Sequence, residues 1–429
     1  MSSLTVTLIL FSLLLLLLFL NVPLVVSIGL PTALIMLGSG MKVATLAQRT
    51  YASVDSFTLM AIPFFMLAGK LMEVGGMSKR IVRLADCLVG WMAGGLAHVI
   101  VVASAFFGAL SGSAAATTAA IGSTLIPEMK KRGYPADFVA GIQAVAGALG
   151  VIIPPSITMI MYGVCSSTSI GKLFMAGIVP GIVLALFLMV TIAYQAKKRK
   201  ISQMNTFTFK ELGAAFLDAI PALLVPTIIL GGIYGGIFTP TEAGAVAATY
   251  GFLAGAFWYK EINLQNIGNI MGGAIVNTVL VMIVVGASGA FSWILTSAGV
   301  SSLLGKAISA IAGNKYIFLL VANLIFIFIG MFIESVAGIL IVTPILLPIA
   351  TSLGVDPVHF GIIMVVNLAL GLTTPPVGEN QYIAAAIAEI PFEEEVKASI
   401  PFLIAGFAAL AVITYVEPLS LWLPGILGM

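Results

Sequence analysis

The stretch "ALGVIIPPS" at residues 148–156 decides the fold, because two adjacent prolines interrupt a sequence that is otherwise apolar enough for a membrane helix. A proline inside a helix removes a backbone hydrogen bond and clashes with the preceding turn, at a cost of about 3 kcal/mol. The same break returns 221 residues later as "ALGLTTPPV" at 369–377. Further prolines and glycines keep that offset: Pro127 and Pro348, Gly133 and Gly354, Gly150 and Gly371, Pro180 and Pro401. Because these residues dictate backbone geometry, the constant spacing predicts two structural repeats.

The composition around this break is that of an integral membrane protein. Hydrophobic residues make up 60% of the 429 positions and charged residues only 8%, whereas soluble domains carry about 25% charged residues. No alternation of period two is present, so the sequence predicts an all-α polytopic membrane protein rather than a barrel. Seven apolar runs approach or exceed the ~20 residues that cross a bilayer, which predicts ten or more crossings in all: 4–20, 23–36, 96–110, 173–194, 220–237, 275–295 and 317–333.

Basic residues give the orientation of the two repeats. Lys and Arg cluster at 79–83, 130–132 and 197–200, whereas the positions equivalent to the last two clusters, near 351–353 and 415–418, hold no cation. Short loops rich in Lys and Arg stay in the cytoplasm, so the repeats are predicted to be inverted in the membrane. We assign 1–200 to the first repeat, 201–220 to an amphipathic surface connector with a helix near 210–220, and 221–429 to the second repeat.

Each repeat carries a second interruption about forty residues before its proline pair, "GALSGSAAATTAA" at 108–120 and "GMFIESVAG" at 330–338. We predict re-entrant hairpins at about 91–129 and 316–350, and broken helices at about 137–168 and 357–390. Small residues that only let helices approach closely are the alternative interpretation, and two complete passes also satisfy the charges.

Four breaks that meet near the midplane would form a binding site. Unwound backbone is tolerated at membrane depth only when it is buried in protein or lines a cavity. Oxygen-rich breaks suit sodium, and the positive ends of helices suit an anionic substrate; a kink needed only for packing is the alternative. The predicted site residues are Ser111, Gly112, Ser113, Thr117, Gly150, Pro154, Pro155, Ser156, Glu334, Ser335, Gly371, Thr373, Thr374, Pro375, Pro376 and Gly378.

Four charged positions allow specific predictions. Glu334 lies in an otherwise uncharged apolar run, and an intramembrane carboxylate indicates cation ligation or protonation, with burial against a partner as the alternative. The sequence "TPTE" ending at Glu242 predicts a capping box that begins a helix. Lys70 and Glu73 stand three residues apart, which is typical of an interfacial pair.

Five stretches together resemble the large membrane subunit of the tripartite ATP-independent periplasmic (TRAP) transporters: "ALSGSAAATTAAIGSTLIPEM", "LGVIIPPSI", "GGIYGGIFTPTEAGAV", "GMFIESVAGILIVTPILLPIA" and "GVDPVHFGIIMVVNLALGLTTPPVGENQYIA". The resemblance spans nearly the whole chain. It implies an elevator-type transporter of the bacterial inner membrane that imports organic acids such as sialic acid or dicarboxylates. The implied partners are a small membrane subunit and a periplasmic substrate-binding protein.

The resemblance also implies sodium as the coupling ion, bound at Ser111 and Ser113 in the first interruption and at Glu334 in the second. We expect no other cofactor, no nucleic-acid partner and no enzymatic activity, since the chain has two histidines and neither an HExxH nor a P-loop pattern. A proton-coupled carboxylate transporter and an ion channel remain the alternative functions.

Overall fold

The computed structural model describes residues 2–20, 22–201, 207–300, 303 and 314–428. Every regular element in these ranges is a helix. The first half contains α1 (Ser3–Phe19), α2 (Leu24–Gly38), α3 (Val43–Val54), α4 (Ala61–Val74), α5 (Met77–Val89), α6 (Gly95–Ser111), α7 (Ala114–Lys131), α8 (Ala136–Ala146), α9 (Leu149–Ile152), α10 (Ile157–Ser166) and α11 (Ile170–Lys198).

The second half contains α12 (Phe209–Tyr234), α13 (Pro240–Leu253), α14 (Ile267–Ser297), α15 (Lys315–Gly330), α16 (Ser335–Ser352), α17 (Pro357–Gly371), α18 (Glu379–Ala388), α19 (Phe392–Tyr415) and α20 (Pro418–Ile426). A 3₁₀ turn at Phe57–Met60 leads into α4, and a π-helical turn at Ala254–Trp258 follows α13.

Six helices in the described ranges are long and apolar enough to cross a membrane, or seven if the bent pair Ala136–Ile152 and Ile157–Ser166 counts as one span. The described ranges therefore hold fewer helices of spanning length than the ten or more crossings predicted from the apolar runs. Breaks at glycine, serine and proline end several apolar runs early, and a helix of 15 to 17 residues is shorter than the ~20 residues a complete crossing requires. The shorter apolar helices are α1, α2, α6, α15 and α17.

The connector between the predicted repeats also differs from the prediction. Residues 202–206 lie outside the described residues, and no separate surface helix occupies 210–220. Instead, α12 begins at Phe209 and continues through Pro221 and Pro226 to Tyr234. Its apolar sequence extends beyond residue 220, and prolines are tolerated within membrane helices when neighbouring groups satisfy the freed carbonyls.

Two helix pairs form hairpins, and two more form broken helices. The first hairpin (α6 and α7) and the second hairpin (α15 and α16) each turn within a few residues. The first broken helix (α8, α9 and α10) bends by 44°, and the second (α17 and α18) is interrupted between Gly371 and Glu379. Both proline pairs, Pro154–Pro155 and Pro375–Pro376, have cis peptide bonds.

Each broken helix also packs against the hairpin of the other half of the chain. Helix α10 packs on the second arm of the second hairpin, and α18 packs on the second arm of the first hairpin. The Tyr162 hydroxyl donates to the carbonyl of Pro357 over 2.6 Å, and Lys130 Nζ donates to the carbonyl of Ala388 over 2.7 Å. The four elements therefore form one packed unit.

Each hairpin crosses its broken helix at a pair of glycines. A Cβ atom added at Gly108 would lie 2.9 Å from Cα of Gly150, and one added at Gly330 would lie 3.0 Å from Cα of Gly371. Real Cβ atoms do not approach backbone this closely without displacement. Because glycine has no side chain, the backbones of the hairpin and the broken helix are in contact next to each hairpin tip.

Candidate functional site

A cavity of about 420 Å³ lies between the two hairpin tips. Of the predicted site residues, Ser111, Gly112, Ser113 and Glu334 line it. Helices α4 and α14 also supply lining residues. This volume is in the usual range for a small-molecule site, about 300–1,000 Å³.

The first tip is a turn of three small residues. Helix α6 ends at Ser111, Gly112 adopts a left-handed conformation with φ of 62°, and Ser113 is extended. The Ser113 hydroxyl caps α7 by accepting the N–H of Ala116 over 3.3 Å. Ser111 and the buried Thr117 share a hydrogen bond of 2.9 Å between their hydroxyl oxygens. Thr117 therefore supports Ser111 from behind and does not line the cavity.

The second tip replaces these hydroxyl groups with a carboxylate. Glu334 caps α16, and its Oε2 accepts the N–H of Val336 over 2.9 Å. The Glu334 side chain is exposed and lines the cavity, whereas the neighbouring Ser335 is buried and its hydroxyl has no hydrogen-bond partner among the described residues. Ser113 and Glu334 are 221 positions apart, which is the offset of the proline pairs.

Capping at both tips has an electrostatic consequence. Helices α7 and α16 begin at the cavity, so the positive ends of their dipoles are directed at the space between the tips. Unsatisfied N–H groups in a first helical turn bind anions readily. The cavity therefore combines positive helix ends with a single carboxylate at the tips.

The proline breaks support the tips without lining the cavity themselves. A Cβ atom added at Gly112 would lie 3.0 Å from the carbonyl of Pro155, so the first break lies directly behind the first tip. The Ser156 hydroxyl caps α10 at the N–H of Met159 and donates to the carbonyl of Val151 over 2.6 Å.

The second break is organised in a similar way. Thr373 and Thr374 both donate their hydroxyl protons to the carbonyl of Leu370 over 2.7 Å, and Gly378 takes a left-handed conformation with φ of 55° before α18. The predicted residues that do not line the cavity are Thr117, Gly150, Pro154, Pro155, Ser156, Ser335, Gly371, Thr373, Thr374, Pro375, Pro376 and Gly378.

Five polar residues of the cavity were not predicted as site residues: Lys70 and Glu73 on α4, Thr158 on α10, Asn277 on α14, and Glu379 at the start of α18. The predicted pairing of Lys70 with Glu73 is confirmed, with 3.0 Å between Nζ and Oε2, and both residues line the cavity. A charge within apolar sequence was the signal available for all three ionisable residues. Glu379 additionally stands three residues after the second proline pair.

The oxygen atoms at the tips suit a hard cation better than a transition metal. The described residues contain no cluster of three or more His, Cys, Asp or Glu side chains that could hold a metal ion. Hydroxyl, carbonyl and single carboxylate oxygens are the ligands that hard cations prefer. Ser111, Ser113 and Glu334 supply ligands of this kind.

The capping box predicted at Glu242 is confirmed, away from the cavity. The Thr239 hydroxyl accepts the N–H of Glu242, and the Glu242 carboxylate accepts the N–H of Thr239 over 2.8 Å. Hydrogen bonds that the backbone N–H and the hydroxyl of Thr239 donate to this carboxylate lower the pKa of Glu242 below its ordinary value. Glu242 therefore begins α13 and takes no part in the cavity.

The comparisons with known proteins give the family of this chain. Residues 8–419 match the model of the family described as "Tripartite ATP-independent periplasmic transporter, DctM component". The C4-dicarboxylate TRAP transporter large permease protein DctM of Pseudomonas aeruginosa is 43% identical over 404 residues, covering 94% of this chain and 95% of that protein. The sialic acid TRAP transporter large permease protein SiaM of Vibrio cholerae is 37% identical over 378 residues, covering 88% of each.

Two further relatives differ in length or in sequence. The isethionate TRAP transporter permease protein DctMQ of Oleidesulfovibrio alaskensis is 43% identical over 410 residues, which are 94% of this chain and 64% of that longer protein. The crystal structure of the YdaH transporter of Alcanivorax borkumensis superposes with a TM-score of 0.63 at 14% identity, covering 88% of this chain and 89% of that one. The latter likeness shows a shared fold alone.

Proposed function

Because this chain belongs to the TRAP transporter family as its large permease component, we propose that it is the membrane-embedded subunit of a sodium-coupled importer of organic acids. The relatives are named as permeases for C4-dicarboxylates, sialic acid and isethionate, all of which are acids. The chain is accordingly a multi-pass transport subunit and not an enzyme. We place it in the bacterial inner membrane.

One observation carries the proposal: two capped hairpin tips, one neutral and one acidic, face the same cavity. The helix ends at the tips attract the acidic group of the substrate. Ser111, Ser113 and Glu334 bind sodium, which offsets the carboxylate charge beside an anionic substrate. Sodium and substrate then stabilise each other's binding, which is the coupling that a symporter requires.

The partners follow from the family and from the longer relative. A periplasmic substrate-binding protein delivers the acid, and a small membrane subunit packs beside this chain. The name and length of the DctMQ relative support this assignment, because that protein extends well beyond the region matched here. In the proposed cycle, the two hairpins and the two broken helices form a transport domain that moves as one body in an elevator mechanism.

The two halves of the chain are proposed to be inverted repeats. Their hairpins, glycine crossings and proline breaks correspond at a nearly constant offset. Only the first half carries basic residues at the end of its hairpin, at Lys130 and Lys131. By the positive-inside rule the two hairpins therefore enter the membrane from opposite sides.

Uptake into proteoliposomes tests the function. The permease, its small subunit and its binding protein are reconstituted, and the labelled acid is one that stabilises the binding protein in a thermal-shift screen. We expect accumulation with an inward sodium gradient and none when choline replaces sodium at constant pH. Undiminished uptake in choline would contradict sodium coupling and favour proton binding at Glu334, and an ohmic current without accumulation would favour a channel.

A further inference from the structure

We propose that the substrate of this permease is a zwitterion, a small acid that also carries an ammonium group. This inference rests on the proposed function and adds a substrate class to it. It follows from the charges in the cavity wall. Among the described residues, the ionisable groups that line the cavity are Lys70, Glu73, Glu334 and Glu379, one cation against three carboxylates.

Lys70 is the group that would hold the acidic end of the substrate. Its Nζ lies 3.1 Å and 3.0 Å from the two carboxylate oxygens of Glu73, and both side chains remain 30% exposed. An ammonium group has three donors, so Lys70 can bind a substrate carboxylate while Glu73 positions it.

The position of Lys70 is fixed beside the first tip. A Cβ atom added at the preceding residue, Gly69, would lie 3.3 Å from both Cα and the carbonyl oxygen of Ser111. Helix α4 therefore packs directly against the end of α6. A carboxylate bound to Lys70 would also be near the positive N-terminus of α7.

The two remaining carboxylates of the cavity have no cation paired with them among the described residues. Glu334 and Glu379 are both exposed and line the cavity, and neither forms an ion pair within the described part of the chain. If sodium binds Glu334, the carboxylate of Glu379 remains without a counterion. A substrate ammonium group would supply that counterion.

The balance of charge distinguishes the substrate classes. A dicarboxylate would bring two negative charges to a cavity that, with sodium at Glu334, has one lysine already shared with Glu73 and one unpaired carboxylate, Glu379. Like charges at short range in a poorly solvated site repel strongly. A zwitterion places its acidic group at Lys70 and its ammonium group at Glu379, so each charge meets an opposite one.

Binding of three four-carbon probes to the purified complex of permease and small subunit, in sodium buffer, tests the inference. The probes are 4-aminobutyrate, 4-hydroxybutyrate and succinate, which differ in charge but little in size. We expect 4-aminobutyrate to bind at least about tenfold more tightly than succinate. Omitting the binding protein ensures that the permease alone makes the selection.

Three substitutions test which residues produce the preference for 4-aminobutyrate over succinate. Glu379→Gln should weaken 4-aminobutyrate and strengthen succinate, reversing the preference, while Lys70→Gln should weaken all three probes. Glu73→Gln is the matched control, because it removes a cavity carboxylate that already has a partner; it should strengthen both anions and leave 4-aminobutyrate preferred over succinate.

Tighter binding of succinate to the unaltered protein, an unchanged ratio in Glu379→Gln, or binding of none of the probes at millimolar concentration would overturn the inference. Sodium-dependent uptake of a dicarboxylate would overturn it too, yet leave the proposed function intact. Loss of sodium dependence in the uptake experiment, with 4-aminobutyrate still preferred, would instead remove only the coupling mechanism.

Discussion

The first hairpin tip, at Ser113, and the second, at Glu334, occupy positions 221 residues apart, and in both tips this residue caps the second arm. Behind each tip, a glycine of the hairpin crosses a glycine of the adjacent broken helix. The chemistry differs: the first tip presents hydroxyl groups that bond within the turn, whereas the second presents an exposed carboxylate. Repetition thus preserves the backbone arrangement while each tip acquires its own ligands.

The largest expected difference between the hairpins is in their accessibility. In a protein whose two cysteines, Cys87 and Cys165, are replaced by alanine, Lys131→Cys and Ser352→Cys place a thiol at the end of each hairpin, 221 residues apart. We expect a membrane-impermeant maleimide to label Lys131→Cys only from the cytoplasmic side and Ser352→Cys only from the periplasmic side. Labelling of both from one side would show that the halves are not inverted.

A smaller effect is expected at the glycine crossings, which test what the tips have in common. A Cβ atom at Gly371 would lie 2.5 Å from Cα and 2.6 Å from the carbonyl carbon of Gly330, so Gly371→Ala should cost about 1–3 kcal/mol or more through overpacking. The Cβ atom of Gly150→Ala would collide with the carbonyl of Ser113 and should cost a similar amount. The melting temperature of the detergent-purified protein measures both.

Gly272→Ala on α14 is the control for these two variants, because a Cβ atom at Gly272 has no neighbour within 4 Å. It should leave the melting temperature unchanged or raise it slightly, since alanine favours the helix more than glycine does. If Gly371→Ala or Gly150→Ala proved as harmless as this control, the hairpin and broken helix would not depend on close backbone contact.

The breaks in the helices could be predicted from the sequence because proline and glycine act locally. The backbone is altered locally at Pro154, Pro155 and the Ser111–Ser113 turn. Because these breaks are repeated at one offset, the two repeats can be predicted without tertiary information. Glu334 could be selected because a carboxylate is costly to place in an apolar run, and its presence there therefore indicates a function.

The rest of the cavity depends on tertiary packing. Lys70 and Glu73 are close in sequence and their pairing could be predicted, yet the cavity wall they form is set by the packing of α4 against the first tip. Asn277 lies on a long helix with no local break, so nothing in its own segment marks it. The described ranges hold fewer helices of spanning length than the apolar runs predict, because hydropathy gives the extent of an apolar run and not where its helix ends.

The decisive measurement compares the sodium dependence of Glu334→Gln with that of Ser113→Ala. It shows whether the second tip supplies the charge of the cation site. Glutamine keeps the shape of Glu334 and an oxygen that can accept the N–H of Val336, but it removes the charge that offsets the lost hydration of the cation. Both variants are reconstituted and uptake is titrated with sodium, with melting temperature as the control for folding.

We expect Glu334→Gln to fold normally and to need at least about tenfold more sodium for half-maximal uptake, which is equivalent to about 1.4 kcal/mol of binding free energy. Ser113→Ala should shift the same midpoint in the same direction by a smaller factor, because it removes a neutral ligand. A stable Glu334→Gln protein whose sodium titration coincides with that of the unaltered protein would contradict sodium binding by the Glu334 carboxylate.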